Sequence, residues 1–498
     1  MNESLLILTA LRIEELALRR PGGTRVLRTG MGPDRARIAA ARALASSAPA
    51  IAVAGLCAGV DPALRAGDVV CATELVDENG GRTAVPGSSL LVAALRRRGL
   101  RVHVGPLLSA RRILGPAERR DLLGVLAVDM ESAWLAAGAG DRPFAVARVV
   151  ADAAGRRLTD PRMAIAGARA LRNLHTVGEA LAEWSELAGP RTVLLAGPRS
   201  FCAGVERAID IVELALRQRG APIYVRKQIV HNEHVVADLE ARGAVFVEEL
   251  DEVPEGATVV FSAHGVSPAV RNDAMTRGLD VIDATCPLVG KVHAEARRFA
   301  ADGKTIFLVG HAGHEEVEGT QGEAPETITL IESIRDVATL EVADPANVAY
   351  LTQTTLAIDE TGEIVDAIRA RFPALRGPAS DDICYATSNR QHAVKAIARE
   401  AEVVIVAGSQ TSSNSKRLVE AAEREGARAY LVDDETDLDV AWLRGAATIG
   451  ITAGASAPEW VVDRLVTALG SLGPLAVEER TQTTEAVRFR LPREVAAT

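Results

Sequence analysis

The chain has 498 residues, 48% of them hydrophobic and 24% charged, with a formal net charge of −10. That length suggests two to four domains, and the acidity argues against a nucleic-acid partner, because no basic stripe is available to release counterions. No uninterrupted apolar run of about 18 residues occurs, and the N-terminus lacks a basic segment and a cleavage site, so a cytoplasmic protein without a membrane partner is expected. The cysteines at 57, 71, 202, 286 and 384 form no disulfide framework and no CxxC pair. Every lysine lies beyond residue 190, a compositional break that fits two joined modules.

Residues 4–9, 51–56 and 144–150 read as buried strands, with Ala-rich helical stretches such as Arg35–Ser47 and Glu131–Ala137 between them. Alternating strand and helix predicts an α/β layer architecture. Three segments here resemble the nucleoside phosphorylase and nucleosidase family: TGMGPDRA (29–36), AGLCAGVDPALRAGDVV (54–70), and VDMES (128–132) followed by ARVVADAA (147–154). The resemblance implies that Glu14 polarises an attacking water or neighbours phosphate, Glu131 holds ribose hydroxyls, and Asp152 protonates the leaving base. Only Phe144, Trp134 and Trp184 precede residue 190 as rings able to stack on a base. A non-catalytic nucleoside-sensing or structural role stands beside the catalytic one.

Residues 172–190 look like a closing helix and a Gly-Pro linker, giving modules at 1–185 and 191–498. Beyond the linker the pattern restarts three times. Strands near 192–196, 305–309 and 403–407 each run into a polar glycine-bearing turn and then a helix. This predicts three pseudo-threefold α/β units, about 191–288, 289–385 and 386–475, with a closing tail at 476–498. Each unit supplies one cysteine just before a helix: Cys202, Cys286 and Cys384. A thiol at a helix N-terminus is expected to ionise readily, and three converging thiolates suit a metal cluster with one position left open. Structural zinc and inert thiols are the other readings; zinc sites more often show close ligand pairs.

Polar turns surround these cysteines: His231, His264, His311, His314, Glu315, Glu316, Thr354, Thr355, Ser412, Ser413, Asn414 and Ser456. Singly they read as caps and turn residues, and HxxH at 311–314 as a possible metal pair. Together they describe a pocket holding a diphosphate on helix N-termini and neutral donors, without arginines or a P-loop.

The segments RSFCAGVERAI, YVRKQIVHN, SAHGVS, DATCPLV, HAGHEEVEGT, TQTTL, DDICYATSNRQ, SSNS and TAGASAPE are similar, in order, to those of the 4-hydroxy-3-methylbut-2-enyl diphosphate reductase family. The tail AVRFRLPREV looks like that family's closing strand. The resemblance implies a [4Fe–4S] cluster on Cys202, Cys286 and Cys384. It implies a diphosphate held by His231, His264, His314, Ser412, Ser413, Asn414 and Ser456, with Thr354 near the substrate hydroxyl and Glu316 delivering the proton. An allylic diphosphate substrate and a ferredoxin- or flavodoxin-type electron donor follow from the same likeness. Glu315 stands where proline is common, and its charge is expected to raise the pKa of Glu316.

Overall fold

Every residue of the run Leu5–Thr9 is buried, as a strand covered on both faces requires. The computed structural model describes residues 3–19, 23–152 and 163–496; Ala153 and Ala154, which end the ARVVADAA segment, lie outside them. The chain divides into two compact units. The first is Met1–Val193 with Asp434–Thr448 and Asp463–Val477; the second is Leu194–Asp433 with Ile449–Val462 and Glu478–Thr498.

In the first unit the strands are β1 (Leu5–Thr9), β2 (Thr24–Arg28), β3 (Ala50–Gly59), β4 (Val69–Asp77), β5 (Arg82–Ala84), β6 (Val102–Ser109), β7 (Ala127–Asp129) and β8 (Phe144–Asp152). They form one sheet in the order β2-β1-β3-β7-β6-β4-β5, with β8 pairing both β3 and β4. The pairings β3–β7–β6–β4–β8–β3 thus close into a ring, which leaves these strands no free edge. The TGMGPDRA turn delivers the helix Pro33–Leu44, with Gly32 at its cap in a positive-φ conformation (93°). A long helix, Met163–Ser185, closes the module.

The later strands are β9 (Arg191–Gly197), β10 (Ile223–Arg226), β11 (Ala244–Val247), β12 (Thr258–Phe261), β13 (Asp280–Asp283), β14 (Thr305–Val309), β15 (Ile328–Ile331), β16 (Val348–Thr352), β17 (Val403–Ala407), β18 (Arg428–Val432), β19 (Thr448–Ala453) and β20 (Leu475–Thr481). They make three sheets, ordered β11-β10-β12-β13, β15-β14-β16 and β18-β17-β19-β9-β20. β9 is a correction to the reading above. It does not found the first α/β unit but joins the third sheet, because its edges are taken by β19 and β20. The central strand of the first sheet is β10 or β12 instead. The tail is a second correction: residues 486–495 form no strand. Leu491 and Val495 instead pack against the core beneath the helix Ala203–Arg219, and Arg207 donates to the Arg490 carbonyl (2.8 Å). No helix among the described residues is long and apolar enough to cross a membrane.

Candidate functional site

The three expected cysteines occupy one kind of position. Cys202 caps the helix Ala203–Arg219, Cys286 caps Pro287–Ala301, and Cys384 caps Tyr385–Ala398. Pro287 starts its helix at the first turn, where a missing N–H costs nothing. All three thiols line one pocket. Gly204 lies between two of them: a Cβ there would meet Cys286 Sγ at 2.8 Å and Cys202 Sγ at 3.8 Å. Thr387 holds Cys384, its Oγ1 3.1 Å and its backbone nitrogen 3.3 Å from Sγ, and Asn414 Nδ2 donates to Thr387 Oγ1 (3.3 Å).

At Cys286 and Cys384 the expected ready ionisation is not what the folded chain gives. Burial pushes Cys286 up to about 12 and Cys384 up to about 11. The N–H groups of Leu288 and Val289 pull Cys286 down, as a helix N-terminus should, but desolvation outweighs them. The neighbouring thiols add to the rise. A metal would supply the charge that such thiols need in order to deprotonate.

The same pocket gathers His231, His264, His314, Glu316, Thr354, Ser412, Ser413, Asn414 and Ser456, and no arginine lines it among the described residues. The His231 and His264 rings stack at 4.1 Å, and His314 stands edge-on to both, at 5.6 and 5.9 Å. His314 Nδ1 accepts the Glu316 backbone N–H (3.2 Å), which leaves Nε2 as the protonated donor. Burial lowers His231 to about 3 and His314 to about 4, so both rings are neutral near pH 7. Ser412 caps the helix Ser413–Arg424 by accepting from Ser415 N, and Ser456 Oγ donates to the His231 carbonyl (2.9 Å). The HxxH pair is taken apart: His311 Nε2 lies 2.7 Å from Arg417 Nη2, while His314 joins the other imidazoles.

Glu316 sits one residue after His314's neighbour, in the first turn of the helix Glu315–Gln321, and is 2% exposed. Thr354 donates to both of its oxygens, from N to Oε1 at 2.6 Å and from Oγ1 to Oε2 at 3.1 Å. Burial raises Glu316 to about 7 despite those bonds, and the acid that adds to the rise is Asp382. Glu315 does not play the part expected of it. It turns to His264 Nδ1 (3.3 Å) and Ser262 Oγ (3.2 Å), and these partners overcome its burial and hold it down at about 2.

In the first unit, Glu14, Glu131 and Asp152 line one pocket with Met31 and Met130. Both Glu14 oxygens are taken by the chain: Oε2 accepts from Thr9 Oγ1, Ala10 N and Leu11 N, and Oε1 from Leu56 N (2.7 Å). Glu131 is raised to about 7, chiefly by burial, and stands 3.4 Å from Arg148, which is itself paired with Asp129 at 2.6 Å. Asp152 Oδ2 is bound by buried Arg119 at 2.6 Å, and Oδ1 has no partner among the described residues. Among the described residues no aromatic ring lines this pocket; Trp184 is fully buried, and Trp134 and Phe144 pack on the core. Arg119 lies outside every quoted motif, and Asp129, though inside VDMES, was not singled out, because only the fold shows that it pairs with Arg148. Thr387 and Arg390 were visible only as part of the string TSNRQ.

A model of the LytB protein family matches residues 193–470. The chain belongs to the LytB protein family. It is 58% identical over 313 residues to a protein of Mycobacterium bovis named 4-hydroxy-3-methylbut-2-enyl diphosphate reductase 2, covering 62% of this chain and 95% of that protein. A Xanthomonas oryzae pv. oryzae protein of the same reductase name is 56% identical over 308 residues, 61% of this chain and 98% of that one. The solved E-1-hydroxy-2-methyl-but-2-enyl-4-diphosphate reductase of Plasmodium falciparum is similar at 38% identity and a TM-score of 0.59, covering 62% of this chain and 97% of that one. A Phosphorylase superfamily model matches residues 22–183, so LytB and phosphorylase-like α/β domains share this chain.

Proposed function

We propose that this LytB chain reduces (E)-4-hydroxy-3-methylbut-2-enyl diphosphate to isopentenyl and dimethylallyl diphosphate, using a [4Fe–4S] cluster held by Cys202, Cys286 and Cys384. The observation that carries this reading is the convergence of three helix-capping thiols on a pocket that also holds the buried Glu316–Thr354 pair. The donor set fits: three separated thiolates suit an iron–sulfur centre, and Gly204 keeps the space between Cys202 and Cys286 clear. When bound, such a cluster supplies electrons singly to the carbon that loses its hydroxyl. The balance is two electrons and two protons per substrate, with one water released as the C–O bond breaks.

The chain's own residues do the rest. The His314 Nε2 donor, with Ser412, Ser413 and Asn414 at the start of their helix, meets the diphosphate oxygens. Glu316 keeps a proton near neutral pH because it is buried; in that protonated form its Oε2–H donates to Thr354 Oγ1, 3.1 Å away, and the threonine hydroxyl turns its own proton toward the departing hydroxyl. The second proton goes to the allyl carbon. A ferredoxin- or flavodoxin-type donor fits the one-electron steps. Anaerobic purification with iron, sulfide and zinc analysis tests the reading. About four irons with matching sulfide support it, and one zinc without sulfide overturns it in favour of a structural metal.

For the first unit, the Asp152 Oδ1, without a partner among the described residues, and the half-protonated Glu131 favour a pocket that receives hydroxyl or amino donors, as a ribose bears. Titration of the full chain with a nucleoside panel, with and without phosphate, tests this. No binding across the panel leaves a structural role.

A further inference from the structure

The three capping helices each carry a basic side chain shortly after the cysteine: Arg207, Lys291 and Arg390. Each reaches the backbone just before the next cysteine, although Arg390 also donates to the Ala386 carbonyl on its own helix (3.1 Å). Arg207, on the helix capped by Cys202, donates to the carbonyls of Ala284 and Thr285, both at 3.1 Å, immediately before Cys286. Lys291, on the helix capped by Cys286, donates to the carbonyls of Ser380 (2.6 Å) and Asp381 (2.9 Å) and to Asp382 Oδ1 (3.2 Å), just before Cys384. Arg390, on the helix capped by Cys384, donates to the Ser200 carbonyl from Nη2 (2.7 Å) and Nε (3.0 Å), and to Phe201 O (3.3 Å), immediately before Cys202. The circuit is closed: 202 holds 286, 286 holds 384, and 384 holds 202.

We propose that Arg207, Lys291 and Arg390 form a cyclic clamp, each a positioning residue for the next cysteine in the ring. Its physical basis is the weakness of sequence-local control here. The three thiols sit on turns more than eighty residues apart along the chain, and each turn follows a different stretch of backbone. A turn carbonyl gripped by a cation is fixed by a charge-assisted bond, roughly twice as strong as a neutral one. Because every grip crosses from one capping helix to the next turn, the thiols are set relative to one another before any metal arrives. Such preorganisation is what a centre with protein-imposed geometry requires. Arg390 is fully buried and also pairs with Glu485 at 3.0 Å, Arg207 is nearly buried, and Lys291 is about a quarter exposed (27%). The clamp should therefore weaken most at Arg390 and least at Lys291.

This inference rests on the metal-centre reading of the three cysteines, and one experiment separates the two. Cluster-loaded full-length protein, wild type and Arg207→Gln, Lys291→Gln and Arg390→Gln, is exposed anaerobically to an iron chelator with iodoacetamide present. Iron loss is timed, and the first alkylated cysteine is located by mass spectrometry. The expected result is faster iron release in all three variants, at least about tenfold in the two arginine variants and less in Lys291→Gln, with Cys286 alkylated first in Arg207→Gln, Cys384 in Lys291→Gln and Cys202 in Arg390→Gln. Arg207→Lys and Lys291→Arg, which keep a cation, should restore slow release. Glu485→Gln breaks the ion pair of Arg390 but not its carbonyl bonds, so it should lower the melting temperature without hastening iron loss. If Arg390→Gln does not fold, the less buried Lys291 carries the same test. Wild-type protein that never holds iron sinks the metal-centre reading. Iron-bearing variants that release at the wild-type rate, or that expose all three thiols alike, overturn the clamp.

Discussion

Glu316 is acidic by type and yet kept as a proton donor by place. Its carboxyl is raised to about 7 by burial, so near neutral pH about half of it carries the proton a departing hydroxide needs. Glu316→Gln should therefore keep its iron and still bind substrate, but turn over about 10²–10⁴-fold more slowly. Single-turnover rates beside cluster spectra separate the two effects, and a variant working at near wild-type speed removes this carboxyl from the chemistry. The same burial makes a stability statement. A carboxyl raised from 4.5 to about 7 favours the fold when protonated, so its contribution is full below pH 4.5 and is lost as pH rises through 7. The metal-free wild type should thus lose of the order of 3 kcal/mol across that window relative to Glu316→Gln, which has no proton to give up. Melting curves from pH 4.5 to 8 check this, and parallel curves would contradict it. Glu315, one position earlier, is held near 2 by His264 and Ser262, so Glu315→Gln should slow turnover far less.

At the scale of the element, the helix Ala203–Arg219 depends on a glycine in its first turn. Gly204→Ala would put a methyl 2.8 Å from Cys286 Sγ, on the residue that begins the helix Pro287–Ala301. Loss of most of the iron is the expected outcome, read by iron and sulfide analysis, with little change in the melting temperature of the metal-free chain. In the first unit the comparable weak point is the short helix Pro116–Arg120, whose Arg119 reaches under the pocket to Asp152. Breaking a buried pair by removing one partner leaves an uncompensated charge. Asp152→Asn should destabilise that unit by about 3–5 kcal/mol, whatever it does to ligand binding. Thermal unfolding of the full chain followed by calorimetry would register this, and an unchanged transition would mean that Arg119 finds another acceptor.

Across the whole molecule, five cysteines divide by environment. Cys57 and Cys71 are buried in the first unit among apolar strands, and burial pushes both thiols far toward the neutral form. Replacing both by serine should leave the iron content intact, while Cys286→Ser should abolish it; iron loss from Cys57→Ser alone would overturn the ligand assignment.

Residue chemistry and local order were legible in the sequence. The polar glycine turns and the cysteines before helices were marked by capping and strand patterns that act over a few residues. The α/β class followed from the alternation of buried runs and Ala-rich stretches. What the sequence left open depends on pairing between distant segments. β9 looks like a unit's first strand because its apolar run resembles those at 305–309 and 403–407, yet only its edges decide its sheet, and those go to β19 and β20. The ionisation of Cys286 turned on desolvation by neighbours far along the chain rather than on its own helix. Arg119 against Asp152, and the ring Arg207–Lys291–Arg390, join residues 33 to 190 positions apart. No periodicity encodes such partners, because burial and charge pairing are set only when the sheets have brought their ends together.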